Sequence, residues 1–137
     1  MLWLLRILFL TVIVSMLSVI SWASAQCALF DIPREVFTHP WFIATLIDAY
    51  WAFIAFYVWV AWKEQSLAAR LLWFGSIILW GNPAMALYML IELFRIQHID
   101  QLREVFATRR PGKVMLPAVL FVLAVAVYLL GAKNLLA

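Results

Sequence analysis

One carboxyl group stands inside an apolar segment of the sequence and is the residue best suited to acid chemistry. Asp48 is the single charged residue between Pro40 and Trp62. An acidic residue near the centre of a bilayer costs about 2.5 to 3.5 kcal/mol on insertion scales, so it needs a compensating partner. Low-dielectric surroundings favour the protonated acid, which can donate a hydrogen bond or act as a general acid. Asp48 is therefore the candidate catalytic residue.

A partner for Asp48 is expected in the third apolar segment, where a helix breaker stands beside an amide. Gly81 and Pro83 predict a helix kink, because Pro83 has no N–H for the carbonyl of the preceding turn. Counting about 1.5 Å per residue from the shared loop brings Asn82 within about one helical turn of Asp48. The predicted buried polar cluster serves either packing or function. Its members are Asp48, Thr45, Asn82 and Tyr88.

Apolar runs of about 20 residues, enough to cross a hydrocarbon core of about 30 Å, must position these side chains. The 137 residues are 68% hydrophobic and 12% charged, which leaves too few polar residues to cover a soluble domain. We therefore expect an all-α, polytopic membrane protein that forms a single domain over 1–137. Its four transmembrane helices are predicted at 2–25, 40–62, 71–94 and 114–132.

The loop between the third and fourth segments predicts a short amphipathic helix on the membrane surface. Apolar residues recur at helical spacing over 96–107, with polar residues on the other faces. A basic group follows, formed by Arg109, Arg110 and Lys113. These three are candidates for lipid headgroups, at about 1 kcal/mol per charge, and a plain topology anchor is the alternative.

Orientation depends on where Lys and Arg fall in a four-span arrangement. Six of these residues lie on the side of the first and third loops and four on the other, which favours both termini outside the cytoplasm. The opposite topology remains open. A second alternative is a signal peptide ending at Ala23-Ser24-Ala25, which would remove residues 1–25.

The remaining residue types predict no metal site and no cofactor. His39 and His98 lack the further ligands and the spacing that a metal site needs. No basic stripe of the kind that binds nucleic acid is present. The expected partners are membrane lipids and either other membrane-protein subunits or copies of the same chain.

The second segment also carries a family resemblance. It reads Pro40-Trp41, then Thr45-Leu46-Ile47-Asp48-Ala49-Tyr50, then Val58-Trp59-Val60-Ala61-Trp62-Lys63-Glu64. This pattern resembles the core of an uncharacterised family of small plant and bacterial integral membrane proteins, a domain of unknown function. The resemblance covers about residues 3–95. It implies the membrane architecture, places Asp48, Tyr50, Lys63 and Glu64 in the family motif, and implies no activity.

Three functions from different classes remain open. Scarce polar groups favour a scaffold or accessory subunit that packs against other membrane proteins. The second function is an enzyme or binding protein for a lipidic or isoprenoid substrate, with Asp48 as the acid. The third is a proton-coupled transport component in which Asp48 titrates and Pro83 permits bending. The sequence favours the non-enzymatic class.

Overall fold

The computed structural model describes residues 1–133, and this range is helical with no strand, which confirms the all-α prediction. A 3-10 turn at Ile99–Gln101 precedes the sixth of the seven α-helices in this range. The helices are α1 (Leu2–Gln26), α2 (Arg34–Phe37), α3 (Pro40–Lys63), α4 (Leu67–Trp80), α5 (Asn82–Phe94), α6 (Leu102–Ala107) and α7 (Met115–Gly131).

Two of the described helices, α1 and α3, are long and apolar enough to cross a membrane. They have 25 and 24 residues, which corresponds to about 36 Å each. Proline begins α3, where a missing N–H has no cost, and Lys63 ends it. The other apolar helices are shorter, with 14 residues in α4, 13 in α5 and 17 in α7.

The predicted third span, 71–94, is not one helix. Helix α4 ends at Trp80, α5 begins at Asn82, and Gly81 between them has φ 61°. The rings of Trp73 in α4 and Tyr88 in α5 lie 4.9 Å apart, so the two helices run antiparallel as a hairpin. Glycine makes the reversal possible because it alone adopts positive φ without strain, and Pro83 suits the first turn of α5. The residues predicted to form a kink therefore reverse the direction of the chain.

The hairpin also determines which helix ends lie at the same end of the bundle. At one end of the bundle, Arg6 donates hydrogen bonds to the carbonyls of Leu93 (3.0 Å) and Ile96 (2.8 Å), so α1 starts where α5 finishes. At the other end, Gly131 in the last turn of α7 lies against Leu29, just beyond α1. The start of α1 and the end of α7 are thus at opposite ends, whereas a four-span arrangement puts them together. The C-terminus itself lies outside the described residues.

Two apolar clusters form the core of the described residues, the first near the end where α1 begins and the second reaching toward the turn at Gly81. The first joins α1, α5 and the segment after it, and contains Leu2, Met89, Leu93, Ile96 and Val105. The second joins α3, α4 and α5, and contains Val60, Trp73, Ile77, Ala84 and Tyr88. The segment predicted as one amphipathic helix at 96–107 is the 3-10 turn followed by α6, and it contributes Ile96 and Val105 to the core.

Candidate functional site

The structure does not bring the predicted polar cluster together. Asp48, Thr45 and Asn82 are exposed, and the Thr45 hydroxyl donates to the carbonyl of Trp41 in its own helix (2.8 Å). Only Tyr88 is buried, and its hydroxyl donates to Glu64 Oε1 (2.8 Å). The physical reason is the turn at Gly81, which directs α5 back against α1 instead of along the first half of α3.

A different set of charged side chains is buried, and Glu92 is at its centre. Lys63 Nζ lies 2.6 Å from Glu92 Oε2, and both side chains are almost fully enclosed, with 0% and 2% exposed. Arg110 adds a second cation, with Nη2 2.8 Å from Oε2 and Nε 3.2 Å from Oε1. Arg95 completes the set, with Nη1 3.5 Å from Oε1. One carboxylate thus faces three cations.

These groups come from three separate parts of the chain that meet at one end of the bundle. Lys63 is the last residue of α3, Glu92 lies in the last turn of α5, and Arg110 follows α6. Lys63 Nζ also donates to the carbonyl of Val105. Charges removed from water need close partners and further hydrogen bonds, and this arrangement supplies both. The cluster therefore fixes the positions of α3, α5 and the segment after α6 relative to one another.

Backbone contacts hold that segment against the end of α3. The Arg110 N–H donates to the carbonyl of Lys63 (2.7 Å), and the Gln65 N–H donates to the carbonyl of Arg110 (3.0 Å). Gly112 has φ 82° and passes so close to Ser66 that a Cβ would lie 2.4 Å from the serine Cβ. Glycine allows this close approach, because any side chain there would clash and would be strained at positive φ.

A cavity of about 470 Å³ opens beside the buried charges. Its charged lining residues are Glu64, Glu92, Arg95, Arg110 and Lys113. The apolar part of its wall comes from α4, α5 and the start of α7, with Tyr88 adding a hydroxyl. The remaining lining residues are Trp73, Ile91, Pro111, Leu116 and Pro117. Cations in the lining of a cavity that also has apolar walls suit an anionic group attached to an apolar body.

A second cavity, of about 520 Å³, is a groove with an almost entirely apolar lining. It lies between α1, α3 and α5, and Asn82 is its one polar lining side chain. Asp48 lines neither this groove nor the charged cavity. Neither of these two cavities therefore places a substrate beside Asp48.

The three predicted headgroup residues have different surroundings. Arg110 is paired with Glu92, and Arg109 Nε donates to the carbonyl of Trp62 (3.0 Å). Lys113 lines the charged cavity. Sequence reasoning missed Glu92, because a charged residue at the end of an apolar run is usually a solvated anchor. No local signal was available, because Lys63 and Glu64 fall in the second predicted loop and Glu92 at the third, on opposite sides of the predicted four-span arrangement.

Comparison with known families gives one match. The family described as "Protein of unknown function (DUF1475)" matches residues 1–110. The chain belongs to this family. The match confirms that the resemblance seen in the sequence is to an uncharacterised family, while the plant and bacterial range and the residue motif stay predictions. No curated protein and no solved structure matches the chain. The matched range contains Lys63, Glu92 and Arg110 and stops before α7.

Proposed function

We propose that this protein is a multi-pass membrane protein that works as a subunit of a larger membrane assembly, with α3 as the joining helix. The observation that carries the proposal is the exposed carboxyl of Asp48 in the first half of a helix long enough to cross a bilayer. An acid on the lipid-facing surface is unfavourable by a few kcal/mol unless another polar group covers it. Within residues 1–133 no side chain does so.

Charge distribution supports a membrane orientation. Eight of the ten Lys and Arg residues lie at the end of the bundle that holds Glu92, and Arg34 and Lys133 lie at the other end. Short loops rich in Lys and Arg stay in the cytoplasm. In this proposal the start of α1 is therefore cytoplasmic and the end of α7 is outside.

The proposal has three crossings, made by the two long helices α1 and α3 and by α7, whose 17 residues are at the lower limit for a span. The α4–α5 hairpin enters from the cytoplasmic side and turns back at Gly81, because arms of 14 and 13 residues reach only about 20 Å. Retention of α1 is part of the proposal, since Leu2 is buried in the core and Arg6 bonds to the end of α5.

The native cysteine offers a direct test of the topology. Cys27 is exposed and follows α1, so a membrane-impermeant maleimide should label it from outside intact cells. A Thr108→Cys variant in a Cys27→Ser background should label only after permeabilisation. The four-span arrangement puts both positions on one side, so equal labelling of the two in intact cells would contradict the hairpin topology.

The face of α3 around Asp48 suits a second helix. Ala44, Ala52 and Ala55 share this face with Asp48 at helical spacing, and all four are exposed. Small residues allow two helix backbones to approach closely in a membrane. A second copy of the chain is the simplest occupant, because parallel α3 helices related by a twofold axis bring the two Asp48 carboxyls to the same depth.

Cysteine cross-linking in native membranes tests this interface. In the Cys27→Ser background, Ala52→Cys should give an oxidised dimer of twice the chain mass. The matched control is Ile43→Cys, which is exposed on the same helix but points about 140° away from Asp48. Equal cross-linking of the two variants would contradict the interface. A cross-linked product of another mass would show that the partner is a different subunit and not a second copy of the chain.

Two substitutions of Asp48 separate pairing from proton chemistry. Asp48→Asn keeps hydrogen-bonding capacity and should preserve the cross-link, whereas Asp48→Leu should abolish it. Loss of the cross-link in the asparagine variant would assign the interface to an ionisable carboxyl and favour the proton-coupled alternative.

A further inference from the structure

The charged cavity at the cytoplasmic end has cations beyond those that its own carboxylates need. Glu92 already accepts hydrogen bonds from Lys63 and Arg110, and Glu64 accepts one from Tyr88. Lys113 has no hydrogen-bond partner within residues 1–133, and Arg95 approaches Glu92 only at 3.5 Å. The cavity lining thus has three cations, Arg95, Arg110 and Lys113, against two carboxylates, and Lys113 and the weakly paired Arg95 can contact an incoming anion.

Buried polar side chains form one wall of the cavity beside the exposed Arg95 and Lys113. Glu92, Glu64 and Tyr88 line it with 2%, 5% and 3% of their surface exposed, and each is fixed by a hydrogen bond. The volume of about 470 Å³ is many times the roughly 30 Å³ that one water molecule occupies. A lipid phosphate with its adjoining glycerol is a group of suitable size.

The apolar wall indicates a ligand with a hydrocarbon part. Trp73, Leu116 and Pro117 line the cavity beside the cations. Leu116 is also 40% exposed on the outside of the bundle, so the apolar wall continues to the surface of α7. A headgroup in the cavity would thus leave its acyl chains along the outer face of α7, where lipid is expected.

We propose that this cavity binds the phosphate headgroup of one anionic phospholipid from the cytoplasmic leaflet, with Lys113 and Arg95 as the residues that contact the phosphate. Arg110 shapes the site from its fixed position on Glu92. The site does not depend on the Asp48 interface, since the two lie on different helices and toward different ends of the bundle.

Native mass spectrometry of the full chain in mild detergent tests the proposal with defined lipids. After delipidation, phosphatidylglycerol should rebind at one molecule per chain and at least about tenfold more tightly than phosphatidylcholine. Lys113→Ala and Arg95→Ala should each weaken phosphatidylglycerol about fivefold, as expected for the loss of one charge. Millimolar inorganic phosphate should not displace the lipid.

Arg109→Ala is the matched control, because Arg109 lies in the same basic group and does not line the cavity. It should change the affinity less than twofold. An equal loss of phosphatidylglycerol affinity in the Arg109 and Lys113 variants would show general attraction to surface charge and overturn the proposal of a cavity site. Displacement by inorganic phosphate would also overturn the proposal, by making a soluble phosphate the ligand. A dimeric variant and a monomeric one should bind lipid equally, so failure of the α3 interface leaves this result unaffected.

Discussion

Glu92 and Asp48 are both carboxyl groups in apolar helices, yet the structure treats them in opposite ways. Glu92 is 2% exposed and faces Lys63, Arg95 and Arg110. Asp48 is exposed on α3 and lines neither of the two cavities described above. Glu92 thus has its ion-pair and hydrogen-bond partners within the chain, whereas Asp48 needs a partner from outside it.

The difference shows which end of the bundle has its polar groups paired within the chain and which end does not. The end of the bundle that holds Glu92 joins three parts of the chain through buried charges and backbone hydrogen bonds. The first half of α3 has apolar side chains facing outward, among them Trp41 at 77% and Trp51 at 66% exposed. Glu92 therefore stabilises the fold at one end, and in our proposal Asp48 stabilises association with another helix at the other.

Removing Glu92 should have the largest effect. Glu92→Ala leaves Lys63 and Arg110 buried without their counter-charge, and breaking a buried pair from one side costs about 3 to 5 kcal/mol. We expect the free energy of unfolding in mixed micelles to fall by that amount. The control is Glu104→Ala at the same end, where the side chain is exposed and a change near zero is expected. If both variants lowered the free energy of unfolding equally, the buried ion pairs of Glu92 would not be what stabilises this end of the bundle.

Stiffening the hairpin turn should have an intermediate effect. Gly81→Ala places a Cβ 2.7 Å from Phe53 Cζ at φ 61°, so it adds both a clash and backbone strain, about 1 to 3 kcal/mol together. Unfolding in mixed micelles again measures the loss. A Gly81→Ala, Phe53→Ala pair separates the two causes, because it removes the clash and keeps the strain. Full stability of the single variant would contradict the tight turn that makes α5 reach Lys63.

Replacing Asp48 should have the smallest effect on the isolated chain. Asp48→Leu removes an exposed group that has no contact to lose, so the Tm of the monomer in detergent should stay within about 2 °C. A large fall in Tm would show that Asp48 is satisfied inside the chain, as the sequence first predicted. The same variant should lose the cross-linked dimer, which links a small effect on stability to a large one on association.

The turn at Gly81 and the cluster around Glu92 mark the limit of prediction from sequence. Gly81 and Pro83 predicted an interruption, but a kink and a reversal use the same residues and differ only in what α5 packs against. Because 71–94 has enough apolar residues for one span, length favoured the kink. That single choice placed Asn82 and Tyr88 beside Asp48, and it put the start of α1 and the end of α7 at the same end of the bundle, whereas the structure has them at opposite ends.

The sequence by itself determined that the chain is helical, apolar and a member of an uncharacterised family, because composition, hydrophobic run length and the residue pattern around 40–64 are local properties. It also identified Asp48 as the acid without a local partner. Only the tertiary structure decided which charges meet, since Lys63, Glu92 and Arg110 are 29 and 18 residues apart along the chain. Such pairing depends on how α5 turns at Gly81, and the resulting contacts exist in no short stretch of sequence.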